Sequence, residues 1–135
     1  KKRIASWIAS LGTRLAEIDV EDATAWVLRE DVDDLMGTAA SEAVRLLPGH
    51  DQWVLGPGTA DPDVVPPARR ALITRGDNVV IAGGVVSGTW SRRGDRLAIG
   101  WFSEAGGIPR DAVADEVARL ATILDRPLDW SVQAA

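Results

Sequence analysis

The chain has 135 residues, 46% of them hydrophobic and 26% charged, which is ordinary globular composition. Its formal net charge of −5 and its lack of cysteine exclude a disulfide framework, a thiolate metal site and an overall basic surface of the kind that grips nucleic acid without sequence preference. No run of about 18 apolar residues occurs, so no membrane-spanning helix is expected, and the expected location is cytoplasmic.

The sequence opens on Lys1-Lys2-Arg3, without an initiator Met, and passes straight into a helical pattern, which reads as a cut through a longer polypeptide. Ile4, Trp7, Ile8 and Leu11 are spaced for one face of a helix over Lys2 to Leu11, which Gly12-Thr13 ends. Ala16, Ile18 and Val20 then alternate with Glu17 and Asp19 as a strand. Glu21-Asp22-Ala23 reads as a turn and Thr24 to Leu28 as a second strand. Helix, strand, turn, strand is the order of the closing half of a winged-helix unit, with the hairpin as its wing. Arg29 to Gly37 is an acidic connector with a helical turn near Asp31 to Leu35, and Ser41 to Leu47 is either a short helix or the lead-in to a strand. Trp53-Val54-Leu55 is an apolar centre bounded by breakers, and Pro57, Pro62, Pro66 and Pro67 mark a loop.

The clearest pattern follows. Val79 to Ala82, Gly83-Gly84, Val85 to Arg92, Arg93-Gly94-Asp95 and Leu97 to Phe102 read as a three-strand antiparallel meander. Alternation puts Val86, Gly88 and Trp90 on one face of its middle strand, and Val85, Ser87, Thr89 and Ser91 on the other. Gly88 and Gly100 inside strands fit bulges or tight bends, as in a small curled sheet or barrel. Pro109 and Asp111 open a helix along which Val113, Val117, Leu120 and Leu124 form a stripe, and Leu128 to Val132 is a last strand returning to the sheet.

Few residues offer catalytic chemistry. His50 is the sole histidine; it sits beside Asp51, and adjacent residues on a strand point to opposite faces, so a structural or loop role is expected over a hydrolase centred on this pair. With one histidine and no cysteine, no metal site and no cofactor site is expected. Gly83-Gly84 and Gly106-Gly107 fit neither phosphate-loop pattern and are expected as turns. Of the six tryptophans, Trp7, Trp90 and Trp101 fall on apolar faces and are expected in the core, while Trp26 and Trp53 are candidates for stacking on bases.

Charge is unevenly spread. Lys1, Lys2, Arg3 and Arg14 have no acidic residue among them, Glu17 to Asp34 is acidic with only Arg29 opposing, and Arg92, Arg93 and Arg96 flank a hairpin tip. Arg14, Arg92, Arg93 and Arg96 are therefore the candidate phosphate contacts.

LLPGHDQWVLG (Leu46 to Gly56) and VVIAGGVVSGTWSRRGDRLAIGWF (Val79 to Phe102), followed by the helix DEVARLATIL and a final strand, resemble motifs of a bacterial winged-helix DNA-binding protein family. That family includes the alkylpurine and interstrand-crosslink DNA glycosylases of DNA repair. The resemblance extends over nearly the whole chain, in the order wing hairpin, LLP motif, proline-rich loop, meander, helix and strand. It implies tandem winged-helix units followed by a β-barrel-like C-terminal domain. It also implies a Gln-x-Gln or Gln-x-Asp catalytic motif that positions water at the sugar carbon. Here Gln52 and Gln133, the only glutamines, are followed two positions on by Val54 and Ala135. The motif is absent from this chain and no catalytic residue carries over. His50 also replaces the aromatic that usually precedes the aspartate of the LLP motif.

The expected architecture is therefore α+β: the end of a winged helix over residues 1–35, then a small antiparallel β-barrel-like domain over 36–135 with one packed helix at 110–125. The expected function is DNA binding by the C-terminal portion of a glycosylase-like protein, with double-stranded DNA as partner through the parent and no membrane partner. The wing around Glu21 to Thr24 and the arginine hairpin face the DNA in that reading. The alternative, favoured by the acidity, is a structural or protein-interaction module without nucleic-acid contact.

Overall fold

The computed structural model describes residues 2–20 and 23–135. The chain divides into two compact units, Lys1–Ala40 and Ser41–Ala135.

The first unit begins with helix α1 (Lys2–Leu11), ended at Gly12, whose φ of +49° lies where glycine is at ease. Strands β1 (Leu15–Val20) and β2 (Ala23–Leu28) pair antiparallel from Leu15↔Leu28 to Val20↔Ala23. Their register puts Ala16, Ile18, Ala25 and Val27 on one face, and Glu17, Asp19, Thr24 and Trp26 on the other. Arg29 closes the open end of this hairpin: its Nε donates to the Thr13 carbonyl at 2.9 Å and its Nη2 to that of Leu15 at 3.0 Å. A short helix α2 (Val32–Gly37) follows. Trp7, expected in the core, is exposed, as is Ile4; the Arg3 guanidinium lies 5.4 Å from its ring centroid. Ile8 and Leu11 of the same stripe are half-buried. The expected wing tip falls largely on Glu21 and Asp22, which lie outside the described residues.

The second unit is a five-stranded sheet in the order β3 (Val44–Leu47), β4 (Val79–Ala82), β5 (Val85–Arg93), β6 (Arg96–Trp101), β7 (Asp129–Ala134). The first four strands run antiparallel, joined across β4, β5 and β6 by the turns Gly83-Gly84 and Gly94-Asp95. β7 pairs with β6 in parallel, after a crossover through helix α5 (Arg110–Leu124). The barrel-like antiparallel domain expected from the strand glycines is thus an open, mixed sheet, with β3 and β7 at opposite ends of its order. Parallel return requires a crossover that carries the chain over one face, and α5 supplies it there.

Each face of the sheet buries a different cluster. On one, Val113 and Val117 of α5 pack on Val44, Leu46, Val80, Leu97, Ile99 and Trp101. On the other, Val79, Ile81 and Val86 pack against Phe102, against Val54 of the short helix α3 (Gln52–Leu55), against Val65, and against Ile73 of helix α4 (Arg70–Arg75). A bulge makes this possible. Val80 pairs with Gly88 but Ile81 with Val86, so Ser87 is inserted without a partner. The inserted residue reverses the side-chain alternation, and Val86 joins the second cluster while Trp90 packs with the first. The expectation that Val86, Gly88 and Trp90 share a face fails for this reason.

One buried carboxylate ties α5 to the sheet edge. The Glu116 side chain is fully buried; its Oε1 accepts the outward N–H of Leu46 in edge strand β3 at 2.9 Å. Arg119 donates to both its oxygens at 2.6 and 2.8 Å, and Arg45 lies 3.5 Å away. Truncation to Glu116→Ala would leave the Leu46 N–H and two arginines without it, and the expected loss is about 3 kcal/mol in urea unfolding. Glu116→Gln keeps an oxygen for Leu46 and is expected to lose less.

A second ion pair holds the far side. Arg69 lies over the Phe102 ring at 4.0 Å from its centroid and forms a two-pronged pair with Glu104 at 2.6 and 2.9 Å. The Arg69 side chain holds the Glu104 pKa down from 4.5 to about 2. Because the folded pKa is the lower, this stabilisation is complete above the ordinary carboxylate range and is lost as pH falls through about 2. A carbon-detected NMR titration is expected to find the Glu104 midpoint near 2, and Arg69→Met to raise it toward 4.5.

Candidate nucleic-acid interface

The arginine-bearing hairpin is built by a two-residue turn. Gly94, with φ of +60°, and Asp95 link β5 to β6, and Arg93 and Arg96 face each other as the last paired residues. Alternation then separates the three expected arginines. Arg93 and Arg96 lie on one face, together with Ser91 and Ala98, while Arg92 pairs with Leu97 on the face that α5 covers. Arg92 is also used locally, its Nη1 donating to the Gly94 carbonyl at 3.2 Å. Arg14 belongs to the first unit, beside Thr13, Leu28, Arg29 and Glu30. The structure therefore brings Arg93 and Arg96 together and leaves Arg92 on the other face.

The surface beside Arg93 and Arg96 was not anticipated. α3, α4 and the 56–67 loop cover this face of the sheet only over β4 and the start of β5. Over β5, β6 and β7 it is open, and two adjoining depressions of about 490 and 450 Å³ lie along it. They share Ser91, Ala98 and Ser131. Register arranges their residues in three rows across the strands: Thr89, Gly100 and Gln133; Ser91, Ala98 and Ser131; Arg93, Arg96 and Asp129. Among the described residues neither Arg93 nor Arg96 lies within ion-pairing distance of a carboxylate. At the other end the Arg75–Asp77 pair closes at 2.7 and 3.1 Å, and the Arg75 side chain holds the Asp77 carboxyl below its usual pKa.

The LLP segment is structural. Asp51 caps α3 by accepting the Trp53 N–H at 2.8 Å, and Gly49 donates its N–H to Asn78 Oδ1 at 2.9 Å. A side chain at Gly49 would run into the Gly76 carbonyl, and one at Gly76 would run into the His50 ring. His50 itself has φ of +61°, at the turn that passes over Gly76. Here His50 and Asp51 shape a turn and a helix cap. The indoles of Trp53, Trp90 and Trp101 donate to the carbonyls of Gly84, Leu47 and Gly106 at 2.9, 2.8 and 3.1 Å. Trp101 is buried and Trp90 half-buried, whereas Trp26 and Trp53 present about half their surface. Gly83-Gly84 makes the β4–β5 turn, as expected. Among the described residues no three acidic or histidine side chains are placed to hold a metal ion, and no helix is long and apolar enough to cross a membrane.

A chain that joins a helix-and-hairpin unit to an open, mixed sheet backed by one crossover helix has its counterpart among DNA repair proteins: it belongs to the AlkZ-like DNA glycosylase family, whose model matches residues 1–123. Among curated proteins it is 36% identical over 125 residues to an interstrand DNA cross-link repair glycosylase of Streptomyces sahachiroi, a match covering 90% of this chain and 34% of that protein. Among solved structures it superposes on the Streptomyces sahachiroi DNA glycosylase AlkZ with a TM-score of 0.88 at 33% identity, covering 98% of this chain and 37% of that one. The chain thus spans about a third of the length of the relatives it matches.

Gly49→Ala tests the structural reading of the LLP segment. Its Cβ has no room beside a backbone carbonyl, so a loss of about 1–3 kcal/mol in thermal or urea unfolding is expected.

Proposed function

We propose that this chain is a DNA-facing section of an AlkZ-like DNA glycosylase: it holds double-stranded DNA for a base-removal centre and contributes no catalytic group of its own. The observation that carries this reading is the Arg93–Arg96 register pair on an open sheet face, in a chain of a DNA glycosylase family. The relative it resembles at 36% identity is named for interstrand cross-link repair. Neither glutamine stands in a Gln-x-Gln or Gln-x-Asp pattern, so chemistry falls to residues of the whole protein outside this stretch.

In this reading residues 1–35 are the end of a winged helix, with β1–β2 as its wing, and residues 36–135 form the C-terminal domain. Helix α1 followed by an antiparallel hairpin fits that order. Glu17 and Asp19, side by side on one face of the hairpin, repel phosphate and move the weight of contact to the arginine hairpin. Arg93 and Arg96 are the principal phosphate contacts, Arg92 and Arg14 auxiliary ones. The cell compartment is the cytoplasm.

A protein-interaction module is the competing reading, favoured by the net charge of −5 and by the exposed Trp53, Leu55 and Val85. Duplex affinity measured over a range of salt separates the two. The DNA-facing reading expects a negative salt slope that falls by about 2 in Arg93→Ala/Arg96→Ala, since each phosphate contact contributes roughly 0.9. Arg92→Ala and Arg14→Ala are expected to cost less. Absence of duplex binding at low salt would leave the interaction module standing.

A further inference from the structure

We propose that the furrow on the open face of β5, β6 and β7 seats the sugar-phosphate backbone of one DNA strand, which leaves the furrow over Arg93 and Arg96. This rests on the DNA-facing reading and adds a surface, a direction and a set of residues to it.

The shape comes first. Two depressions that share Ser91, Ala98 and Ser131 make one continuous furrow along the strands. Its three rows of residues span about 13 Å, at roughly 3.3 Å per strand residue. Along a duplex that is the length of about four nucleotides of one strand, at ~3.4 Å each. The middle row is composed of two serines and an alanine. Small side chains on three neighbouring strands let a polymer backbone come close to the sheet. Elsewhere the same face carries Val79, Ile81 and Val86 beneath a covering of loop and helices. The open part is thus the part where polar and small residues replace valine and isoleucine on this face.

The chemistry agrees with the shape. Thr89, Ser91, Ser131 and Gln133 offer hydroxyl and amide donors that suit phosphate and sugar oxygens and carry no charge to desolvate. The two charged ends differ. At one, Asp77 is neutralised by Arg75. At the other, Arg93 and Arg96 stand beside Asp129, which is next to Arg96 across the β6–β7 pairing. A phosphate is repelled by Asp129 and attracted by the two arginines, so the strand leaves on the β5–β6 side. The nearby rings and aliphatic chains of Trp90, Ile99 and Trp130 belong to the opposite, α5-covered face. The two arginines at one end and the row of hydroxyl and amide groups along the floor are what suit a phosphodiester strand.

Filling the furrow tests the proposal without touching its charges. Ala98 and Ser131 are exposed, so Ala98→Phe and Ser131→Phe add bulk to the floor and leave the buried clusters intact. Ala118→Phe, on an exposed position of α5, serves as the control. Fluorescence anisotropy of a labelled duplex at low salt is expected to show each floor variant weakened on the order of tenfold, with Ala118→Phe unchanged and all melting temperatures alike. Amide shift mapping on the unsubstituted chain gives the same answer without mutation: duplex should move Thr89, Ser91, Ala98, Ser131 and Gln133. If the floor variants bind as tightly as the parent chain, or those amides stay put, while Arg93→Ala/Arg96→Ala weakens binding, the furrow proposal is overturned and the DNA-facing reading survives. If the unsubstituted chain binds no duplex, or the arginine substitutions also change nothing, both are overturned.

Discussion

The sheet of the second unit depends on how its two edges are held, and at β3 that task falls to the buried carboxylate of Glu116. Edge strands expose a row of unpaired donors and acceptors. Here the outward N–H of Leu46 is taken by an acceptor from the helix that covers the sheet. Arg119 and Arg45 then make a buried negative charge tolerable. The same contact sets the position of α5 along the face, because a carboxylate that must meet one backbone N–H and two guanidinium groups allows little sliding. Val113 and Val117 fill the core beneath it.

With one face closed by α5, the bulge at Ser87 decides what becomes of the other. Without the inserted residue, Val86 would point at α5 and the second cluster would lose one of its members. With it, β5 gives Val86 to the second cluster and Trp90 to the first, and turns Thr89, Ser91 and Arg93 outward on the open face. Covering segments follow the apolar side chains and stop where these stop. The furrow is what remains of a sheet whose residues change from valine and isoleucine to serine, threonine and alanine within a few positions.

Much of this was legible in the sequence, for identifiable reasons. Glycine pairs and strict alternation announced the meander, and Val113, Val117, Leu120 and Leu124 announced the helix. Arg92 could have been assigned to the opposite face from Arg93 by period-two counting alone. The parallel return of β7 was hidden because alternation in a short strand is the same for either direction. The bulge was signalled only by Gly88, which marks an irregularity without saying which residue is inserted. Glu116 was hidden by its charge, although it lies three residues after Val113 and four before Leu120, on the buried stripe. α3 and α4 are too short to show a period. For function, the motifs from Leu46 to Gly56 and from Val79 to Phe102 carried the family, whereas total charge pointed the other way because it averages over arginines and carboxylates that lie apart.

The parallel pairing of β7 also bears on the order in which the molecule can assemble. A growing chain can zip β4, β5 and β6 together as soon as their turns have formed, because each contact is between near neighbours. The row that β7 adds must wait until α5 and everything up to Gln133 has emerged from the ribosome and folded back across the sheet. Through much of synthesis, therefore, Arg93 and Arg96 sit on a hairpin whose flank is an unpaired β6 edge. The polar wall supplied by Ser131 and Gln133 is the last part of this surface to exist, and a chain halted before β7 keeps its arginines without the channel beside them.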